Sequence, residues 1–182
     1  SDLHFGAEEP AIVEALLAAL AALAPDVVVI SGDLTQRGRR EQFRAADSFL
    51  RRLEAGGCAV VLVPGNHDIP LYNLARRFLS PLRHWRRYLA AGRRERYFDE
   101  EIAIVGLNTA RSLAFKDGRL SIGQIDALTR SFAAASPGAT RLLVTHHPLV
   151  AIRGLGRPGA TTRHLAHALA AIRAAHVQLL LA

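Results

Sequence analysis

Short runs of β-branched and aliphatic residues alternate with helical patterns along the chain, and this alternation constrains the fold more than any other feature. Five runs predict strands, at residues 27–30, 60–63, 102–107, 142–145 and 177–181. Helical patterns occupy residues 10–24, 40–55, 121–134 and 162–175, with broken helices across 71–91. Ser121 and Gln124 have the capping-box spacing at the start of one of them. The sequence therefore predicts one layered α/β domain over residues 1–182.

Composition excludes two classes of protein. Cys58 is the single cysteine, so a disulfide framework is excluded and a cytoplasmic location is expected. A membrane span needs roughly 20 consecutive apolar residues, and the sequence contains no such stretch. Residues 10–24 are rich in alanine, but they include Glu14 and end at Pro25, which favours a packed helix.

Polar side chains follow three of the predicted strands directly. They are Asp33 after the first strand, Asn66, His67 and Asp68 after the second, and His146 and His147 after the fourth. The chain also opens with Asp2 and His4, whose spacing places both side chains on one side of an extended segment. Because sites in α/β proteins form beyond the carboxyl ends of the strands, we expect these four segments to meet.

The residue types at the strand ends indicate a metal site. Carboxylate, imidazole and amide ligands without thiolate suit Mn, Fe or Zn. The candidate ligands are Asp2, His4, Asp33, Asn66 and His146. These five ligands are more than a single ion needs, which favours a site for two ions. Two divalent ions about 3.5–4 Å apart can clamp a phosphate and lower the pKa of a shared water. With only two carboxylates the cluster stays positive, which favours an anionic phosphoester substrate.

The motifs that carry these residues resemble those of the calcineurin-like metallophosphoesterases. They are Asp2-Leu3-His4, Gly32-Asp33, Gly65-Asn66-His67-Asp68 and His146-His147-Pro148, four of that family's five motifs in the family's order. The resemblance spans the whole chain and implies an αββα sandwich. It also implies that Asp2 and His4 hold the first metal ion, that Asp33 bridges, and that Asn66 and His146 hold the second.

The same resemblance assigns roles to the neighbouring residues. It implies that His67 is not a ligand and that it stabilises charge near the phosphate or protonates the leaving oxygen. We expect Asp68 to orient His67, because a carboxylate commonly fixes the tautomer of an imidazole; a turn or helix-capping role is the alternative. His147 either packs or lines the substrate pocket.

The family's fifth motif, Gly-His-x-His, is expected after the last predicted strand, where this sequence reaches Leu181-Ala182. The strand expected before Asp2 is also not in the sequence. We therefore expect a domain truncated at both ends, with an incomplete site. His164 and His167 lie three residues apart in a helical pattern, and we expect them to be surface residues rather than replacement ligands.

The segments after the second and third motifs distinguish branches of the family. Purple acid phosphatases have a tyrosine ligand where this chain has Gln36, so an iron–tyrosinate centre is excluded. "SGDLTQRG" and "PGNHDIPLYN" are most similar to the class III cyclic nucleotide phosphodiesterases and glycerophosphodiesterases. That similarity implies attack on a phosphodiester by metal-bound hydroxide, with Asn108 and Arg111 as candidate substrate contacts. A turn with a surface arginine is the alternative for these two residues.

Two other functions stay open from the sequence. The eight arginines within residues 76–96 are the feature that would favour a nuclease of the same fold, and a phosphomonoesterase is a further alternative; a solvated helical face is the better explanation of these arginines. An inactive scaffold is the other. The natural substrate and the oligomeric state are not determined by the sequence.

Overall fold

The computed structural model describes residues 1–112, 118–150 and 164–182, and these form five α-helices and six strands. The helices are α1 (Pro10–Leu23), α2 (Arg40–Ala55), α3 (Leu74–Leu79), α4 (Ile122–Ser131) and α5 (Leu165–Ala174). The strands are β1 (Val27–Ile30), β2 (Ala59–Leu62), β3 (Arg96–Phe98), β4 (Ile102–Gly106), β5 (Thr140–Val144) and β6 (Leu179–Leu181). A π-helical turn at Trp85–Leu89 follows α3. Helices and strands alternate through most of this order, as the sequence predicted.

Within the described residues the strands form two sheets. β1 and β2 pair in parallel, and the second sheet has the order β3-β4-β5-β6. In that sheet β3 is antiparallel to β4, whereas β4, β5 and β6 are parallel. Each parallel pair of consecutive strands is joined through a helix, because the chain must cross back before it can pair again in the same direction. The carboxyl ends of β1 and β2 therefore lie at one edge, and those of β4 and β5 likewise.

Three hydrophobic clusters of the described residues lie between the layers. The first joins α1, α2 and the π-helical turn to the first sheet, with Phe43 fully buried in it. The second lies between the sheets, where Val61 of β2 packs with Ile104 of β4. The third joins α4 and α5 to the second sheet through Ile125 and Ile172. The layers are helix, sheet, sheet and helix, so the predicted αββα sandwich is confirmed.

The predicted start of α4 is confirmed in atomic detail. Ser121 Oγ accepts a hydrogen bond from the backbone N–H of Gln124 at 3.2 Å, and Gln124 Oε1 accepts one from the N–H of Ser121 at 3.0 Å. Each side chain thus satisfies a backbone donor of the first helical turn that has no partner within the helix.

One strand of the structure differs from the sequence-based prediction. β3 was not predicted, because three residues flanked by charged side chains give little periodic signal; it forms by antiparallel pairing with β4, with Tyr97 opposite Ile104. The broken helices predicted across residues 71–91 are confirmed, as α3 and the π-helical turn, which are separated around Pro81. Residues 162–163 of the last predicted helix lie outside the described residues.

Among the described helices, none is both long enough and apolar enough to cross a membrane.

Candidate metal centre

Four segments bring the candidate ligands together, as predicted. Asp33 follows β1, Asn66 follows β2 and His146 follows β5. The first residues of the chain run beside the segment after β1, where the N–H of Asp2 donates to Gly32 O at 3.1 Å and that of His4 to Asp33 O at 3.0 Å. The backbone itself therefore holds the opening segment at the edge of the first sheet.

Asp33 lies at the middle of this group. Its Oδ2 is 3.9 Å from His4 Nε2 and 3.3 Å from His146 Nε2. His4 Nε2 is also 3.6 Å from Asp2 Oδ1, and His146 Nε2 is 3.1 Å from Asn66 Oδ1. Asp33 is therefore placed where one carboxylate can reach two ions.

Two sets of side chains in the described residues offer ligand atoms within 4.8 Å of one another. One set is His4, Asp33 and His67, and the other is Asp2, Asp33 and His146. Asp33 is common to both. His67, which the resemblance placed beside the ligands and not among them, belongs to the first set.

Backbone strain is concentrated at three of these residues. Asp2 has a φ of 60°, His4 of 48° and Asp33 of 51°, all in the left-handed region that residues with a Cβ seldom adopt. Such conformations cost of order 1–3 kcal/mol each and persist where the surroundings fix them, most often at functional sites.

The glycines of two motifs allow the loops to approach one another. A Cβ on Gly65 would lie 2.0 Å from Asp33 Oδ1 and 2.4 Å from Asp33 N. Gly32 has a φ of 104°, and a Cβ there would lie 2.6 Å from His146 Nδ1. Any side chain at either position would push the segments after β1, β2 and β5 apart.

Asp33 and His146 perturb each other's ionisation. Burial alone would raise the pKa of Asp33, but the hydrogen bond and positive charge of His146 hold it below its usual value. Burial alone would lower the pKa of His146, but the bond to Asp33 raises it. Because a ligating imidazole is neutral, a bound cation would take the place of the proton that His146 shares with Asp33.

The donor set fits divalent cations. His146 Nδ1 lies 2.8 Å from Ser31 O, so its N–H donates there and Nε2 is directed toward Asp33, as is usual for ligating histidines. Within the described residues, His4 Nδ1 is buried without a hydrogen-bond partner. Buried imidazole nitrogens seldom stay unpaired. The two carboxylates, two imidazoles and one amide of the predicted ligands suit Mn, Fe or Zn.

The expected direct contact between Asp68 and His67 is wrong. His67 Nδ1 lies 2.7 Å from Gln36 O, so a backbone carbonyl orients the ring. Asp68 is buried and accepts hydrogen bonds from Thr35 N at 2.8 Å, Thr35 Oγ1 at 3.0 Å and Gly65 N at 3.0 Å. Asp68 therefore joins the segment after β1 to the turn after β2. This is similar to the turn role that was the alternative prediction for Asp68.

Burial raises the pKa of Asp68 to about 6, although the donors of Gly65 and Thr35 favour its charged form. We expect Asp68→Asn to lower the free energy of unfolding by about 1–3 kcal/mol at a pH above that value, because the new amide turns its own N–H groups toward backbone donors. Denaturant unfolding measures this. The control is Asp26→Asn, the same change at an exposed residue, and equal stability of the two variants would contradict the argument.

The residues predicted to contact substrate have structural contacts. Arg111 donates to the carbonyl oxygens of Asn108 and Ala110 and to Gln124 Oε1, which ties its loop to α4. Asn108 Oδ1 accepts from the N–H of Ala110, as in a turn. His147 is buried. Its Nδ1 lies 2.8 Å from Thr109 Oγ1. These contacts match the alternative predictions, a turn for Asn108 and Arg111 and packing for His147. Contact with substrate stays a prediction for all three residues.

The remaining histidines of the sequence-based interpretation lie elsewhere. His167 Nε2 is 3.1 Å from Asp126 Oδ1, and both side chains are about half exposed. His164 is the residue that precedes α5, and it has a φ of 73°. Neither belongs to the two sets of candidate ligands.

The arginine-rich segment serves two purposes. Arg93 donates to Glu54 and Asp47 at 2.7 and 2.8 Å, and Arg77 is buried and donates to carbonyl oxygens. Arg83 and Arg87 are exposed, as a solvated helical face requires. Part of the positive charge is therefore used to hold the fold.

The sequence was compared with those of known protein families and curated proteins. A sequence model of the calcineurin-like phosphoesterase family matches residues 1–176, which include all of the candidate ligands. No curated protein matches the chain significantly.

Proposed function

Because the chain belongs to the calcineurin-like phosphoesterase family, we propose that it hydrolyses a phosphodiester with the help of two divalent metal ions. The observation that carries this proposal is the position of Asp33, whose carboxylate belongs to both sets of candidate ligands. Asp2 and His4 would hold one ion, Asn66 and His146 would hold the other, and Asp33 would bridge them.

The ions would be Mn, Fe or Zn, given oxygen and nitrogen ligands without thiolate. When bound, they would neutralise charge on the phosphoryl group and lower the pKa of a water between them. Asp2 is exposed whereas Asp33 is buried, so the centre is reached by solvent and substrate from the side of Asp2.

His67 is proposed to protonate the leaving oxygen. Its Nδ1–H donates to Gln36 O, which fixes the ring and leaves Nε2 as the nitrogen that exchanges a proton with substrate. A ring fixed by a backbone carbonyl keeps this orientation whatever the side chain at position 36. Asp68 acts indirectly, by holding the turn from which His67 projects.

A diester is favoured over a monoester by the similarity of "SGDLTQRG" and "PGNHDIPLYN" to class III cyclic nucleotide phosphodiesterases and glycerophosphodiesterases. A cyclic nucleotide is one member of that substrate class. A phosphomonoester or a nucleic acid is the alternative within the same family.

The test is hydrolysis of a chromogenic phosphodiester and of its matching monoester, with Mn²⁺ and with chelator. We expect turnover only with metal and a preference for the diester. A preference for the monoester would replace the diester proposal by a phosphatase. Metal-independent turnover, or none with either ester, would contradict the proposed function of this chain.

A further inference from the structure

A cavity of about 200 Å³ lies beside the candidate metal centre. Its walls include Gln36, Arg37, Asn66, His67, Leu71 and Arg77. Asn66 and His67 belong to the centre as well, so the cavity and the centre share a wall. The volume is sufficient for a small ring with one or two substituents.

His67 stands between the centre and the cavity. Its ring meets that of His4 edge-on, with 4.7 Å between centroids, while its Nδ1 is held by Gln36 O on the cavity side. If His67 protonates the leaving oxygen, the rest of the leaving alcohol lies beyond the His67 ring, in the adjoining cavity.

Two arginines line the cavity. They are Arg37 and Arg77, and among the described lining residues none is Asp or Glu. Arg77 is 2% exposed, and its Nε donates to Ser112 O at 2.7 Å, so it is part of the wall.

Arg37 is the arginine that a ligand can reach. It is exposed, and its Cζ lies 5.6 Å from the centroid of the Tyr72 ring, a cation–π contact that positions the guanidinium. Within the described residues it forms no ion pair, in contrast to Arg51, Arg52 and Arg93. A planar guanidinium with free donors binds a carboxylate or phosphate well.

We infer that this cavity binds the part of the substrate that departs as the leaving alcohol, here called the leaving arm. We infer further that Arg37 selects a leaving arm that carries a carboxylate or phosphate. The inference rests on the proposed function, which it makes more specific. The substrate class is then a diester in which one ester oxygen bears a small, negatively charged alcohol. His67 protonates the leaving ester oxygen, and Arg37 binds the negative charge at the far end of the same leaving arm.

Two synthetic diesters test the inference, methyl 4-nitrophenyl phosphate and methyl 3-carboxy-4-nitrophenyl phosphate. They differ by one carboxylate on the leaving arm. We expect the wild-type protein with Mn²⁺ to have the higher kcat/KM for the carboxylated ester. Arg37→Gln should reduce that preference by about 10–100-fold, the usual effect of losing a charged hydrogen bond.

Arg44→Gln is the matched control, since Arg44 is an exposed arginine outside the cavity lining. It should leave the preference unchanged. An unchanged preference in Arg37→Gln, or an equal reduction in both variants, would overturn the inference.

A binding measurement separates failure of this inference from failure of the proposed function. The free leaving alcohol, 3-carboxy-4-nitrophenol, is titrated into metal-free protein in chelator. Binding to the wild type that weakens at least about 5-fold in Arg37→Gln, with no such change for 4-nitrophenol, supports the cavity assignment even if neither ester is hydrolysed. Equal binding to the two proteins overturns it.

Discussion

Asp33→Asn should reduce metal-dependent turnover at least about 10³-fold, because one substitution weakens both metal sites and removes charge stabilisation at the reacting phosphate. Asp33 Oδ2 faces both His4 and His146, and no other side chain in the described residues belongs to both sets of candidate ligands. The amide keeps the size of the side chain but loses its charge. Steady-state kinetics with Mn²⁺ and a chromogenic diester measures the effect.

The fold of this variant should be retained. Oδ1 of residue 33 accepts the backbone N–H of His67 at 2.9 Å, and an asparagine oxygen can accept the same bond. Thermal unfolding without metal therefore checks that loss of activity is not loss of structure. Asp26→Asn is the control at an exposed site. Turnover in Asp33→Asn above a tenth of the wild-type value would contradict the bridging role.

Gly65→Ala should lower the free energy of unfolding by about 2–4 kcal/mol, because overpacking at a rigid contact forces the backbone to move. The added methyl carbon would lie 2.0 Å from Asp33 Oδ1 and 2.4 Å from Asp33 N. The backbone nitrogen can move away only together with the segment after β1. We therefore expect Mn²⁺ binding to be lost along with stability. Denaturant unfolding and metal titration measure the two effects.

Gly123→Ala is the control for that substitution. Gly123 lies in α4, and a Cβ there would have no atom within 4 Å. Alanine is favoured over glycine in a helix, so this variant should be more stable by up to about 1 kcal/mol. If Gly65→Ala behaved like Gly123→Ala, the close approach of the two loops would not be a property of the molecule in solution.

The grouping of the candidate ligands was largely predictable because most of them follow strands that are themselves easy to recognise. The run at Val27–Ile30 has the same limits in the sequence-based prediction and in the structure. Once the strands are known, the carboxyl ends of the parallel neighbours β1 and β2 must lie side by side, and that brings Asp33 and Asn66 together. His146 follows β5 of the second sheet, and the packing of the two sheets through Val63 and Val144 brings it to them. Glycine in two of the motifs was a further signal, since only close approach explains it at Gly65.

Other features had no signal in the sequence. The group that holds His67 is the carbonyl of Gln36, and a backbone oxygen is present at every position of any chain. Asp68 follows His67 directly, which suggested a contact, but the turn directs its carboxylate to Thr35 and Gly65. Arg111 was a candidate for substrate, and only the packed structure reveals its bond to Gln124.

The most direct test of the account is titration of metal-free protein with Mn²⁺ by calorimetry. The arrangement around Asp33 predicts two ions per chain for the wild type, and loss of at least one of them in Asp33→Asn. Binding that is the same in the two proteins, or no binding to the wild type, would contradict a metal centre built on Asp33.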